Sequence, residues 1–363
     1  MPWIGTWLQP LVGEGQRQNA LGYRHIARTR NATYYIIAIM QKLLITAPPK
    51  LVDAKAIQQD LVGLAEVISL PEEESARRAA LATADVLLML NPRADLKPEE
   101  WPLLQRARMM QILTAGADHV PFQLVPSQMA IYTIPGAYAE PMAEHVLAMI
   151  LALAKHLLPQ HNKLAQGEFD QQRLNRMIRG LACAIIGYGG IGAATARVLH
   201  PLGVRIAAIN RHGRGDALCE FAGTTADLEM VLRRSDIVVL CCPLTKATRG
   251  LIGEQALGWM KPDAILINVA RGEIIDEAAL YRHLRTHPSF SVGIDAWWIE
   301  PFRSGSFRTN FPFMELPNVL GSPHNSAMVP EAWRHAIHQG VDNLRCLLKG
   351  EPGRGLVDRS EYV

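Results

Sequence analysis

From Met40 onward two patterns of apolar and polar positions take turns along the chain. Short apolar runs rich in Val, Ile and Leu read as strands buried on both faces, and the longer amphipathic stretches between them read as covering helices. Their alternation predicts parallel sheets with helices on each side. The first series has a strand at LLIT after Lys42, a helix near Asp53–Leu64 and a strand near Glu66–Leu70. It continues with a helix near Glu73–Ala82, a strand at Val86–Leu90, a helical run Glu99–Arg106 and strands at Met109–Leu113 and Met129–Thr133.

Pro141 then opens one long helix to about Leu158, a position where proline costs no hydrogen bond. Its apolar residues fill almost every face, which predicts burial between domains or subunits. A polar bridge, Gln166–Arg179, leads to a second series of strands at Ala182–Ile186, Val204–Ile209, Asp236–Leu240, Ala264–Val269, Ser291–Asp295 and Asn318–Leu320. Strands joined by crossover helices in this way make a doubly wound sheet. The last helix, Glu331–Lys349, stops at Gly350 and is expected to return to the first unit. The expected division is residues 40–140 with 326–363 in one domain, 141–325 in another, and a cleft between the two sheets.

Residues 1–39 show no clear period. They are read as a disordered extension or an upstream start, with a transit peptide as the less favoured alternative. They hold Arg17, Arg24, Arg28 and Arg30 against Glu14 alone, so the whole formal charge of +3 lies there and the rest of the chain sums to zero. That excludes a basic nucleic-acid face on the body. The chain has 363 residues, 49% apolar and 20% charged, which fits two ordinary globular domains. Its longest uncharged apolar run, Val146–Ala154, falls short of the roughly 20 residues a bilayer requires. Five cysteines show no metal-ligand or redox spacing, so reduced thiols in a cytoplasmic, metal-free protein are expected.

The stretch Leu181–Gly192, LACAIIGYGGIG, runs a buried strand into glycines at GxGxxG spacing and then into a helix. Gly187 permits the tight turn, Gly189 lets a pyrophosphate approach the backbone, and Gly192 lets helix and strand pack closely. The helix N-terminus offers unpaired N–H groups to the phosphates.

Ligands of open α/β sheets sit beyond the carboxyl ends of the strands, and there the second series carries Asn268, Arg271, Gly272, Asp295, Glu300, His324 and Ser326. A guanidinium can grip an α-keto carboxylate through two parallel hydrogen bonds, and an imidazole can move a proton near neutral pH. A nearby carboxylate would orient that imidazole and favour its charged form. With a nicotinamide held at the glycine turn, these groups describe reduction of a carbonyl, with Arg271 positioning the substrate and His324 supplying the proton.

At this point the chain resembles the D-isomer-specific 2-hydroxyacid dehydrogenases over nearly everything from Met40 on. The resemblance rests on LTAGADH (113–119), AEPMAEHVLAMILAL (139–153) and CPLTKATRGLIGEQALGWMKPDAILINVARGEIIDEAAL (242–280), with GIDAWWIEP (293–301) and SPHNS (322–326) completing the series. It implies a Rossmann dinucleotide-binding domain inserted into a flavodoxin-like substrate domain, and a homodimer built partly through the helix near Pro141. It implies Arg271 as carboxylate clamp, Glu300 as carboxylate partner and His324 as acid/base. Substrate contacts come from Asn91, Ala115 and Gly116, and cofactor contacts from Gly187, Gly189, Gly190, Ile191, Gly192, Pro243, Thr248, Ala270 and Asp295. The substrate is expected to be a small 2-keto acid of the glyoxylate or hydroxypyruvate type. A nucleotide-sensing binding protein of the corepressor type shares this scaffold and is the alternative.

The chain departs from the pattern at three places. The strand Val204–Ile209 ends in Asn210-Arg211-His212-Gly213-Arg214 without the acid that binds the ribose hydroxyls of NAD. Arg211, with Arg214, can pair with a 2′-phosphate, so NADP(H) is preferred over NAD(H). The other reading leaves both arginines in solvent and Asn210 alone on the ribose. Gly190 and Cys242 replace a commonly larger residue and a common histidine, Cys242 being read as a small buried residue before a redox thiol. The segment 302–314, FRSGSFRTNFPFM, is longer than expected. With Trp297 and Trp298 it either walls the substrate or packs on the sheet.

Overall fold

The computed structural model describes residues 40–363, so the reading of 1–39 lies outside the described residues. The first sheet is built from β1 (Gln41–Ile45), α1 (Ala54–Asp60), β2 (Ala65–Ser69), α2 (Glu74–Thr83), β3 (Val86–Met89), α3 (Pro92–Asp95), β4 (Met109–Ile112) and β5 (Ala130–Tyr132). Its strands lie in the order β2-β1-β3-β4-β5, all parallel, which puts a switch of direction beside β1. Acidic side chains set the helix starts: Asp53 accepts from the N–H groups of Lys55 and Ala56, and Glu73 from those of Ser75 and Ala76. The expected helix Glu99–Arg106 is instead a 3-10 turn, Pro98–Leu103, because Pro102 has no N–H to continue an α-helical ladder.

The expected long helix is two, α4 (Ala139–Ala154) and α5 (Leu157–Ala165), bent by 57° at their junction. Pro159 lacks the N–H that would reach the Lys155 carbonyl, and His156 turns into the left-handed region at φ +51°. The returning polar bridge closes the break, with Arg176 N–H donating to the Ala154 carbonyl at 2.8 Å and Lys155 Nζ to the Arg176 carbonyl at 2.8 Å. Among the described residues no single helix is long and apolar enough to cross a membrane.

The second sheet follows as β6 (Ala182–Ile186), α6 (Gly190–Leu199), β7 (Arg205–Ile209), β8 (Cys219–Gly223), α7 (Leu228–Arg234), β9 (Ile237–Leu240), α8 (Glu254–Trp259), β10 (Ile265–Asn268), α9 (Glu277–Thr286), β11 (Ser291–Ile294), α10 (Pro301–Ser304) and β12 (Val319–Gly321). The order is β12-β11-β10-β9-β6-β7-β8, parallel throughout, the doubly wound arrangement with its switch between β6 and β9. One more strand forms than expected. β8 is an edge strand of five residues with Glu220 exposed and its register to β7 shifted, so it carries too short an apolar run to read as a strand.

The last helix, α11 (Pro330–Leu348), packs on the first sheet, as its sequence suggests. Gly340 lets it approach, because a Cβ there would come within 2.7 Å of Leu113 Cδ2. The chain then returns to the edge of that sheet, where Val357 N–H donates to the Ile131 carbonyl and Leu356 bridges Tyr132 antiparallel.

Candidate active site

The glycine turn sits at the switch of the larger sheet, where β6 emerges between β7 and β9. Gly187 has φ +100°, and a Cβ on it would lie 2.3 Å from Cys242 N in the loop after β9. A Cβ on Gly192 would meet the Gly187 carbonyl at 2.5 Å, so these two glycines serve close packing. Gly190 has a reason as well, since its Cβ would fall 2.6 Å from Gly136 Cα in the approach to α4. Gly189 alone faces open space, with nothing within 4 Å of an added Cβ. No side chain caps the N-terminus of α6 beside it. An open backbone face and uncapped helical N–H groups are what a pyrophosphate needs, so the residues present fit a dinucleotide. Replacing Gly187 by Ala is expected to cost about 2 kcal/mol or more through strain at positive φ plus the clash with Cys242. Denaturant unfolding checks this, and an unchanged midpoint would contradict it.

At the far end of β7 the Asn210 side chain is engaged in its own turn. Its Oδ1 accepts from His212 N–H at 2.9 Å and Arg214 N–H at 3.3 Å, and its Nδ2 donates to the Arg214 carbonyl. It shapes the loop, with both ends of its amide already used. Arg211 projects from the same loop and pairs with Glu361 at 2.5 Å. Thr248 is likewise turned inward, its hydroxyl donating to the Pro243 carbonyl at 2.6 Å. Burial pushes the Cys242 thiol up to about 12, which fits its reading as a packed side chain.

The strand ends β10, β11 and β12 bring the reactive side chains together. His324 Nδ1 lies 2.9 and 2.8 Å from the two oxygens of Glu300, a carboxylate that also accepts from Trp297 N–H at 2.6 Å. Glu300 is 6% exposed, so His324 and this backbone donor supply the partners its burial demands. Gly272 touches the same segment, because a Cβ on it would sit 2.3 Å from the Trp297 carbonyl carbon. Arg271 therefore stands next to the pair. Its Nε faces both oxygens of Asp118 at 3.1 Å and its Nη1 donates to the Ala270 carbonyl at 2.7 Å. Nη2 has no acceptor among the described residues and lies 3.1 Å from the position of a Gly116 Cβ. The N–H groups of Ala115 and Gly116 also find no acceptor there. Arg271 Nη2 and the 115–116 backbone thus lie side by side with donors unengaged.

His324 is held in the left-handed region at φ +51°, a conformation a non-glycine residue keeps only when its surroundings impose it. They do so through Asp295, which is fully buried. It accepts from Ser322 Oγ at 2.6 Å, Asn325 N–H at 3.1 Å and Ser326 N–H at 3.3 Å, wrapping the loop of His324 around one carboxylate. His145 of α4 adds a contact to Ser322 Oγ at 3.0 Å.

Several of these residues escaped the sequence reading. Asp118 fixes the Arg271 guanidinium. Burial pushes its carboxyl up, but the charges of Arg271 and Arg303 outweigh that and hold it below the usual carboxylate range. Arg303 also chelates Glu273 at 2.9 and 2.7 Å. Asp118 lay in view inside LTAGADH, but its role depends on a partner 153 positions away. His119 beside it is buried and pushed down to about 4, so it stays neutral.

The 302–314 segment divides between the two readings. Phe311 stacks on Tyr281 and Phe313 on Trp298, both on the sheet side. Phe302 turns toward the first domain, with its ring 5.7 Å from that of His119 and its carbonyl accepting from Asn91 Nδ2 at 2.9 Å. The Asn91 Oδ1 is buried without a donor. No group of His, Cys, Asp or Glu suited to hold a metal ion occurs among the described residues.

Known proteins resemble the chain over most of its length. Residues 147–326 match a profile described as D-isomer specific 2-hydroxyacid dehydrogenase, NAD binding domain. The chain is 31% identical over 330 residues to a glyoxylate reductase of Thermococcus gammatolerans, covering 86% of this chain and 96% of that protein. It is 28% identical over 274 residues to a glycerate dehydrogenase of Methylorubrum extorquens, covering 73% and 83%. Among solved structures, a putative formate dehydrogenase from Pyrobaculum aerophilum superposes with a TM-score of 0.75 at 26% identity, over 89% of this chain and all of that one.

Proposed function

The chain belongs to the D-isomer specific 2-hydroxyacid dehydrogenase family, an NAD(P)-dependent group of enzymes, and from that premise we propose that it reduces small 2-keto acids of the glyoxylate or hydroxypyruvate type with NADP(H) preferred. The observation that carries the proposal is the pair His324 Nδ1–Glu300 beside a guanidinium with one nitrogen unengaged.

Gly187, Gly189, Gly190, Ile191 and Gly192 would form the turn that receives the pyrophosphate of a bound dinucleotide, Pro243, Thr248, Ala270 and the loop ordered by Asp295 would line the rest of its site, and its nicotinamide would supply the hydride for the keto carbon. With Nδ1 occupied by Glu300, His324 presents Nε2 to the substrate and delivers the proton from there to the keto oxygen. Glu300 fixes the ring's orientation through Nδ1. Arg271 binds the substrate carboxylate through Nη2, assisted by the N–H groups of Ala115 and Gly116, while Asp118 and the Ala270 carbonyl prevent the guanidinium from turning away. The same positive charge polarises the adjacent carbonyl.

Arg211, with Arg214, recognises the 2′-phosphate of the cofactor. The protein assembles as a homodimer. The exposed side chains Leu157, Leu158, Leu164, Phe169, Leu174 and Met177 support this, a run of apolar surface next to α4 that a second copy would cover.

Steady-state oxidation of NADPH and NADH, followed with glyoxylate, hydroxypyruvate and pyruvate, tests the proposal. Turnover is expected with the first two, with kcat/KM higher for NADPH than for NADH. No oxidation above background with any keto acid would overturn it.

A further inference from the structure

The end of the chain crosses from one domain to the other at the mouth of the cofactor cleft. It leaves the first sheet alongside β5, where Thr133 N–H donates to the Gly355 carbonyl at 2.9 Å and Val357 N–H to the Ile131 carbonyl at 2.9 Å. Arg359 then ties it to the loop before β5, donating to the carbonyls of Val125 at 3.2 Å, Pro126 at 2.7 Å and Met129 at 2.6 Å. Tyr362 stacks on Phe122 with centroids 4.9 Å apart.

From that anchorage the tail reaches two loops of the larger sheet. Lys246, in the loop after β9, donates its N–H to the Glu361 carbonyl at 2.9 Å and its Nζ to the Val363 carbonyl. Arg211, in the loop after β7, pairs with the Glu361 carboxylate at 2.5 Å. The β7 loop is where a family member using NAD would place its own carboxylate, and here Asn210 stands instead with its amide closed into the turn. A carboxylate is present after all, brought in from the other domain and placed on Arg211, one of the two guanidiniums assigned to the 2′-phosphate.

We infer that Glu361 is a cofactor-selectivity residue: its carboxylate holds Arg211, so NADP(H) binds only by taking Arg211 from it, whereas NAD(H) leaves the Glu361–Arg211 pair intact. This inference rests on the assignment of Arg211 to the 2′-phosphate. The exchange is chemically directed. A phosphate monoester carries more charge than a carboxylate and offers three acceptor oxygens to the planar guanidinium, so it prevails once it arrives. The pair it breaks is modest, because the Arg211 side chain is 62% exposed and Glu361 21% exposed. Glu361 therefore weakens the preference for NADP(H) without abolishing it, and its pair with Arg211 opens on binding of that cofactor alone.

The test is a fluorescence titration of the intact protein with NADPH and with NADH, using wild type, Glu361→Gln, Arg211→Ala and the double variant. Glu361→Gln is expected to tighten NADPH by about two- to fivefold, with NADH unchanged and with no effect in the Arg211→Ala background. Weaker NADH binding in Glu361→Gln, equal tightening of both cofactors, or unaltered NADPH affinity would overturn the inference. If Arg211→Ala weakens NADPH while Glu361→Gln is silent, the inference fails and the cofactor assignment stands. If Arg211→Ala leaves NADPH affinity untouched, both fail.

Discussion

His324→Gln lowers kcat by about 10²- to 10⁴-fold while leaving NADPH affinity close to that of the wild type. Glutamine still donates a hydrogen bond from roughly the place of the imidazole but cannot release a proton to the developing alkoxide. The ring also holds its place through Nδ1 and Glu300, at 2.9 and 2.8 Å, rather than through the glycine turn, so the cofactor site should survive the change. Because position 324 has φ +51°, the variant His324→Asn is the better behaved control, asparagine being among the residues most at ease there. Single-turnover rates at saturating substrate for both variants provide the check. Wild-type rates in either would remove His324 from the chemistry.

Arg271→Lys lowers kcat/KM for hydroxypyruvate by about 10²- to 10³-fold even though it conserves charge. The arginine does three things from one plane: Nε meets Asp118, Nη1 meets the Ala270 carbonyl, and Nη2 is left for substrate. An ammonium can satisfy the buried Asp118, so the variant should fold, but it cannot do so and also present a fixed donor beside Ala115 and Gly116. Steady-state kinetics with a parallel unfolding curve separates the two effects. A variant as active as the wild type would mean that the carboxylate is bound elsewhere.

The architecture was legible where period and punctuation agree. Runs such as IVVL and ILIN are too apolar and too short to be anything but central strands, and GxGxxG between a strand and a helix left little choice for the switch at β6. Local chemistry that competes with the pattern was misread. Pro159 ended α4 early, Pro102 kept the Pro98–Leu103 turn from becoming an α-helix, and the half-polar β8 carried no signal.

The proposed reactive set was legible as residue types at strand ends. Its supports were not, because each is a partnership across the fold. Asp118 belongs to Arg271, Ser322 and His145 belong to Asp295, and Glu361 reaches Arg211 from the far end of the chain. Such pairs leave no trace in spacing. They emerge only when the two sheets close on one cleft.

The central claim, that a guanidinium fixes the substrate carboxylate so that His324 meets the neighbouring carbonyl, is tested most directly by comparing hydroxypyruvate with dihydroxyacetone, the same carbonyl with the carboxylate replaced by a hydroxymethyl group. With wild-type protein and saturating NADPH, kcat/KM for hydroxypyruvate should exceed that for dihydroxyacetone by about 10⁴-fold, because the latter has no carboxylate for Arg271 and the N–H groups of Ala115 and Gly116 to bind. Comparable turnover of the two, or turnover of neither, would contradict the account.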